Sequence, residues 1–329
     1  MTRPRDPAAP AWRSDAPVRV GVSSCLLGSA VRWDGGHKRD AFLTEWLAPF
    51  VEWVPVCPEL ELGMGVPREP VHLRREGGEL RMLGNRSGAD WTARMSAFAK
   101  RRASEIEAQE LCGYVLKRGS PSCGLENVPV RGSAVLGKRD GRGLFAAALA
   151  ARMPSLPIEE EGRLNDAALR ENWIERVFAY RRVRALFAAR WTIGGLVAFH
   201  AAHKLQLLAH SPEAYRALGR MVARAKQTPR AELRASYERA FMRALAVRAT
   251  RGRHVKVLEH CVGYLRGRAD ASVRASLAAQ IADYRAGCLP LIVPVTMLRH
   301  YAVQLELEYL AQQLYLDPHP NELMLRNHA

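Results

Sequence analysis

The feature that most constrains this chain is a change of hydrophobic period near residue 155. Before it, short apolar runs rich in β-branched residues alternate with Gly- and Pro-containing loops and with helical stretches. After it, from Glu171 to Leu310, almost every stretch repeats its apolar residues at helical spacing. Period two belongs to strands and period 3.6 to helices, so the two halves cannot share one architecture. Alternating strands and helices imply an α/β domain with a mostly parallel sheet, and the second half implies an all-α domain. The expected organisation is a disordered tail over 1–17, an α/β domain over 18–155, a linker over 156–170 and a helical domain over 171–329.

In the first half VRVGVSS, FVEWVPV and CGYVLKR read as strands. AFLTEWLAPF, Asp90 to Gln109 and GLFAAALAARM read as helices, and LGMGVPREPVHLRREGGELRM as a loop with a hairpin. The acidic, Pro-containing SLPIEEEGRLND reads as a turn-like linker. The second half is punctuated by Ser211-Pro212, Thr228-Pro229, Gly287 and Pro290, which separate seven periodic stretches. Two of these, 194–210 and 293–315, each read as a single helix.

A hydrophobic fraction of 48% and a charged fraction of 25% over 329 residues exclude disorder, collagen-like repeats and a disulfide-stapled miniprotein. The first 18 residues lack the apolar core of a signal peptide, and no stretch reaches the ~20 apolar residues of a membrane span. The expected location is therefore the cytoplasm, with no membrane partner. There, cysteines serve as thiols, metal ligands or catalysts rather than disulfides.

Three of the six cysteines, Cys25, Cys57 and Cys123, directly follow the three expected strands. In open α/β sheets ligands bind beyond the carboxyl ends of the strands, so these thiols should converge on one rim. Four-ligand structural zinc sites usually draw on CxxC pairs, and the chain has none. A [4Fe–4S] cluster held by three thiolates keeps one iron open, which suits Lewis-acid chemistry on a substrate. The alternative is that these are small buried residues. Cys112, at the start of the third strand, should lie at the opposite end of the sheet as buried structure. Cys261 and Cys288, among apolar residues, should be core.

The segments SSCLLG…VRWDGGHKRD, VPVCPE…GMGVPREP and LKRGSPSCG resemble the three signature segments of the bacterial thiouracil desulfidase family, over roughly residues 18–155. The resemblance implies an oxygen-sensitive [4Fe–4S] cluster on Cys25, Cys57 and Cys123 with the fourth iron open. It implies a reaction that replaces a thiocarbonyl sulfur with oxygen from water and releases sulfide. Its catalytic Glu and Ser correspond by motif position to Glu59 and Ser120. A carboxylate can orient and deprotonate water and return the proton, and a hydroxyl can hydrogen-bond the base or the water. The same two residues also suit a solvent-facing carboxylate and a turn-capping hydroxyl. Asp34, His37 and Lys38, with Arg39, form a polar loop suited to contact a nucleobase or a phosphate, or simply to be solvated.

The net charge of +16 is unevenly placed. Residues 216–256 hold 12 basic side chains against Glu232 and Glu238. Arg216, Arg220 and Arg224 recur every four residues along one helix face, and with Lys226, Arg230 and Arg234 they make a one-sign face, the footprint of a phosphate backbone. Only 7 of the 49 basic residues are Lys, so Arg-rich composition alone is the competing explanation. His200, His203 and His210 lack the carboxylate of an HExxH pattern and read as helix-packing or RNA-facing histidines. HKLQLLAHSP, PLIVPVTMLRHY and YLDPHPNELMLRNH resemble the helical C-terminal domain of tRNA 4-thiouridine desulfidases. This resemblance implies tRNA as the partner and 4-thiouridine as the substrate, with a free thiolated nucleobase as the alternative. A non-catalytic nucleic-acid-binding protein with a structural metal is the remaining reading.

Replacing Cys25, Cys57 or Cys123 singly by Ala should abolish iron and sulfide content in anaerobically purified protein. Cys112→Ala should leave both unchanged.

Overall fold

The computed structural model describes residues 12, 17–132, 139–188 and 190–327. The chain divides into two compact units, Pro17–Asn165 and Asp166–Ala329, with Trp12 belonging to the second.

The first unit opens with β1 (Val18–Ser23), β2 (Val51–Val56) and the single turn α1 (Pro58–Glu61). The hairpin strands β3 (Val71–Glu76) and β4 (Glu79–Gly84) precede α2 (Thr92–Ala108). Next come β5 (Gly113–Leu116), the two-residue β6 (Val130–Arg131), α3 (Leu144–Arg152) and β7 (Ile158–Glu160). The main sheet has the order β2-β1-β5-β7, every pair parallel. Strand β5 is buried throughout, as expected for an interior strand covered on both faces. Strand β2 carries Pro55 and Glu52 and lies at an edge, where a missing N–H costs no ladder bond. The second sheet has the order β4-β3-β6. Its hairpin turns at Gly77 and Gly78, whose φ of 57° and 88° fit the left-handed turn that two-residue hairpins prefer.

The expected α/β class with a mostly parallel sheet is what the structure shows, with two local corrections. The segment AFLTEWLAPF is a wide π-type turn at Phe42–Leu47 followed by a tight turn at Ala48–Phe50, not an α-helix. Pro49 supplies no N–H to an α-helical ladder there. The acidic segment 156–170 is not a linker. It supplies β7, which hydrogen-bonds to β5, and Asp166 then caps the next helix by accepting from Leu169 N at 2.9 Å. The boundary accordingly falls at residue 165. The hairpin foreseen between residues 62 and 82 forms at its second half.

The helices of the second unit follow in order: α4 (Ala167–Ala188), α5 (Ile193–Ala202), α6 (Lys204–His210), α7 (Pro212–Ala223), α8 (Arg230–Ala246), α9 (Arg251–Gly263), α10 (Ala271–Ala286), α11 (Ile292–Gln304) and α12 (Glu308–Ala311). Thr192, Ser211 and Thr250 cap α5, α7 and α9 through their hydroxyls. The two stretches expected as single helices are each broken. Between α5 and α6 the chain bends at His203, whose ring stacks on Phe199 at 4.0 Å. The bend is closed by the Gln313 side chain, which donates to Ala201 O and accepts from Leu205 N, and by Leu314 N, which donates to Ala202 O. Between α11 and α12, Glu306 takes a left-handed φ of 52°.

Buried polar groups tie this unit together. Arg326 donates to Glu171 and to Tyr315 O, while Gln206 and His210 hold the two oxygens of Glu175. Both His210 ring nitrogens face acceptors, Glu175 and Val247 O. Burial disfavours the charge on His210, but the carboxylate outweighs it and holds its pKa up.

His200 bonds Tyr237 and burial pushes its pKa down to about 4. Cys112 and Cys261 are buried as expected, but Cys288 is exposed, just past the left-handed Gly287 that ends α10. The expected tail contains Trp12, whose ring is buried against Phe199 at 5.4 Å. Residues 1–11 and 13–16 lie outside the described residues.

A tight approach in the sheet is directly testable. A Cβ on Gly21 in β1 would stand 2.2 Å from the Tyr114 ring of β5. Gly21→Ala should destabilise by about 1–3 kcal/mol through overpacking, read as a lower urea midpoint.

Candidate active site

The strand order places β2, β1 and β5 side by side, so their carboxyl ends form one rim. Cys25 lies in the tight turn Ser24–Leu27 after β1, Cys57 directly follows β2 as the residue before α1, and Cys123 lies in the turn after β5. All three line one cavity of about 220 Å³, together with Arg32, Trp33, Glu59, Arg68, Lys117, Arg118 and Ser120. The expected convergence is therefore realised.

Each thiol is raised above its ordinary pKa. Burial and the neighbouring Cys57 push Cys25 up to about 11. Burial also raises Cys57 and, most strongly, Cys123. Opposing groups are built in beside them: backbone amides of Leu60 and Glu59 at Cys57, the Ser23 hydroxyl at Cys123, and the Lys117 and Arg32 charges at Cys25. These groups favour thiolates, the form that binds metal. Lys117 is itself fixed, since its ammonium bonds Glu161 and Arg118 O while its N–H donates to Ser23 Oγ at 3.0 Å.

Among the described residues, no three His, Cys, Asp or Glu side chains stand close enough to share a single metal ion. Thiolates that each bind a different iron of a cubane stand farther apart than thiolates sharing one ion. Three soft donors, two buried and one half-buried, with no fourth cysteine lining the cavity, fit a cluster that leaves one iron without a protein thiolate.

Glu59 lies in the same cavity, in α1. Arg68 Nε and Nη2 both donate to its Oε2, at 2.9 and 2.6 Å, and the Ser122 hydroxyl donates to Oε1 at 2.7 Å. Arg68 also holds Val31 O and Gly65 O, so it pins the carboxylate to two loops. Two N–H bonds fill Oε2, and one O–H leaves a lone pair on Oε1. Ser120 Oγ accepts from the N–H groups of Ser122 and Cys123, both at 3.2 Å. It therefore caps the turn, and its own proton remains to be donated.

Sequence reasoning missed Arg68 and Ser122. Both lie inside the quoted motifs GMGVPREP and SPSC, but their partners are nine and 63 residues away along the chain. Asp34, His37 and Lys38 do not line the cavity. Asp34 closes its own turn by accepting from Gly36 N, His37 Nδ1 accepts from Arg39 N, and Lys38 N donates to Cys25 O. Their neighbours Arg32 and Trp33 line it instead, Trp33 being 42% exposed. The loop is thereby joined to the first cysteine through the Lys38–Cys25 backbone bond.

Residues 20–161 match the sequence model of the 2-thiouracil desulfurase family, an interval that ends just past β7. Two curated relatives are matched over nearly their whole length. The uncharacterized protein YbgA of Escherichia coli (strain K12) is 33% identical over 153 residues, 46% of this chain and 90% of the relative. The uncharacterized protein YbbK of Bacillus subtilis (strain 168) is 31% identical over 150 residues, 44% of this chain and 97% of the relative. The chain belongs to the 2-thiouracil desulfurase family. A solved structure titled [4Fe-4S]-dependent thiouracil desulfidase TudS is 30% identical, covering 47% of this chain and 97% of that one, with a TM-score of 0.39. Residues 204–320 match a model described as a protein of unknown function (DUF1722).

The second unit places Arg216, Arg220, Arg224, Lys226, Arg230 and Arg234 on its surface. Arg230 stacks over Trp191 at 4.4 Å and Arg234 lies 6.0 Å over Phe187. No described helix is long and apolar enough to cross a membrane.

Ser122→Ala removes the hydroxyl that steadies Glu59 Oε1. It should cost about 1.5–3 kcal/mol, the range for hydrogen bonds to charged groups, as a lower urea midpoint with iron content retained.

Proposed function

We propose that the protein is a [4Fe–4S]-dependent desulfidase of the cytoplasm that converts 4-thiouridine in tRNA to uridine and sulfide. The observation that carries the reading is the meeting of Cys25, Cys57 and Cys123 in one cavity with a clamped Glu59. The three cysteines would hold the cluster. When bound, it supplies a soft electrophile for the departing sulfur.

The chain's own residues supply the rest. Glu59 Oε1 takes a proton from the water that attacks the thiocarbonyl carbon and later returns it. Arg68 and Ser122 keep that oxygen aimed. Ser120 donates its proton to the water or to the substrate. Trp33 offers an exposed ring on which the base can stack.

The tRNA substrate is supported by the cationic face of the second unit. Arg216, Arg220, Arg224, Lys226 and Arg230 have no ion-pair partner among the described residues, and such a face favours a polyanion. The second reading, desulfidation of free thiouracil, is supported by the matched family model, whose description names 2-thiouracil.

Anaerobic reconstitution followed by nucleoside analysis of treated tRNA tests both. Loss of 4-thiouridine with release of sulfide is expected. Unchanged thiouridine in the presence of a full cluster, with turnover of free thiouracil, would leave only the second reading. Glu59→Ala should retain iron and sulfide but lower turnover by about 10²–10⁴-fold, the usual contribution of a general base.

A further inference from the structure

A second cavity lies wholly within the helical unit, between α6, α7 and α9. It measures about 490 Å³ and is lined by Arg216, Arg253, Lys256 and His260, with Glu213 as its one acid. Arg216 and Lys256 are exposed and have no ion-pair partner among the described residues. Arg253 is anchored through Nη1, which donates to His210 O at 2.7 Å. A cleft with three cations, one of them anchored, and one acid, with no internal neutralisation of Arg216 or Lys256, is suited to an anion.

What adjoins it narrows the anion. His260 Nε2 and the Tyr264 hydroxyl are hydrogen-bonded at 3.2 Å, and that hydroxyl accepts from Lys204 Nζ at 3.3 Å. Tyr264 packs against Tyr309 with ring centroids 5.2 Å apart. Tyr309 is 41% exposed and has the Lys204 ammonium 5.8 Å from its centroid. An exposed aromatic ring next to a cationic cleft is the pairing that single-stranded nucleic acid uses, phosphate on the charges and base on the ring. A free inorganic phosphate would use only the first part. Neither part falls on Arg220, Arg224, Lys226, Arg230 or Arg234.

We propose that this cleft and the Tyr264–Tyr309 pair bind one unpaired RNA nucleotide, its phosphate between Arg216, Arg253 and Lys256 and its base on Tyr309. The inference rests on the tRNA reading above and goes further by naming the site and the kind of nucleotide.

The test uses the full chain, unfractionated tRNA and, as a backbone-only probe, inorganic polyphosphate, with binding followed across a salt series. Arg216→Ala/Lys256→Ala should weaken tRNA and polyphosphate alike. It should reduce the slope of log affinity against log salt by about 1.4, two contacts at roughly 0.7 each. Tyr309→Ala should weaken tRNA binding by about tenfold or more, leaving the salt slope and polyphosphate binding unchanged, because stacking carries no counterions. Unchanged urea midpoints confirm that each variant is folded. Wild-type affinity and slope in both variants would overturn the proposal while leaving the tRNA reading standing. A loss confined to the double variant would overturn the nucleotide and leave a bare phosphate contact. Failure of the wild type to bind tRNA would remove the tRNA reading and this proposal together.

Discussion

Parallel pairing of β2, β1 and β5 is the constraint on which the site depends. It brings residues 25, 57 and 123 to one place because side-by-side parallel strands end on the same rim. The sheet can pair this closely because Gly21 leaves room for the Tyr114 ring. The same burial that protects the thiols works against their ionisation, and all three are raised. Metal binding at such a site must displace protons, so the backbone amides, the Ser23 hydroxyl and the Lys117 and Arg32 charges are as much part of it as the sulfurs.

The carboxylate is held by a different logic. Glu59 sits on a helix of one turn, too short to fix a side chain by packing. Arg68 compensates by reaching from the loop before β3, and it satisfies two backbone carbonyls on the way. The pair is well shielded, with side chains 6% and 14% exposed, which makes removal of one partner more costly than the pair itself is stabilising. The small second sheet thus has a role at the first sheet's rim, since it anchors the chain that carries Arg68.

How much of this the sequence carried differs by element. The three strand ends with their cysteines were readable because apolar runs and the residues after them are local signals. Most helices of the second unit were readable for the same reason. The bend at His203 was not, since its carbonyls and N–H are satisfied by Gln313, more than a hundred residues away. Asp34, His37 and Lys38 were expected at the substrate or in solvent by polarity; what spacing could not show is that Asp34 and His37 also accept from the loop's own N–H groups. Ser120 looked like a choice between chemistry and capping; the geometry shows a cap whose proton is still available. Position within a motif identified the neighbourhood, but which atom faces which is a property of contacts that sequence spacing does not encode.

Strand β7 has a consequence for how the protein is made. It covers the open edge of β5, and an uncovered edge is a template for pairing with another chain. All three cysteines have been synthesised by residue 123, yet the edge beside them stays open until residue 160 emerges. During that interval the nascent sheet has its sulfur ligands but not its border. A shortened chain ending at 155 would be fixed in that state, soft ligands beside an unprotected edge, and self-association would be its characteristic failure.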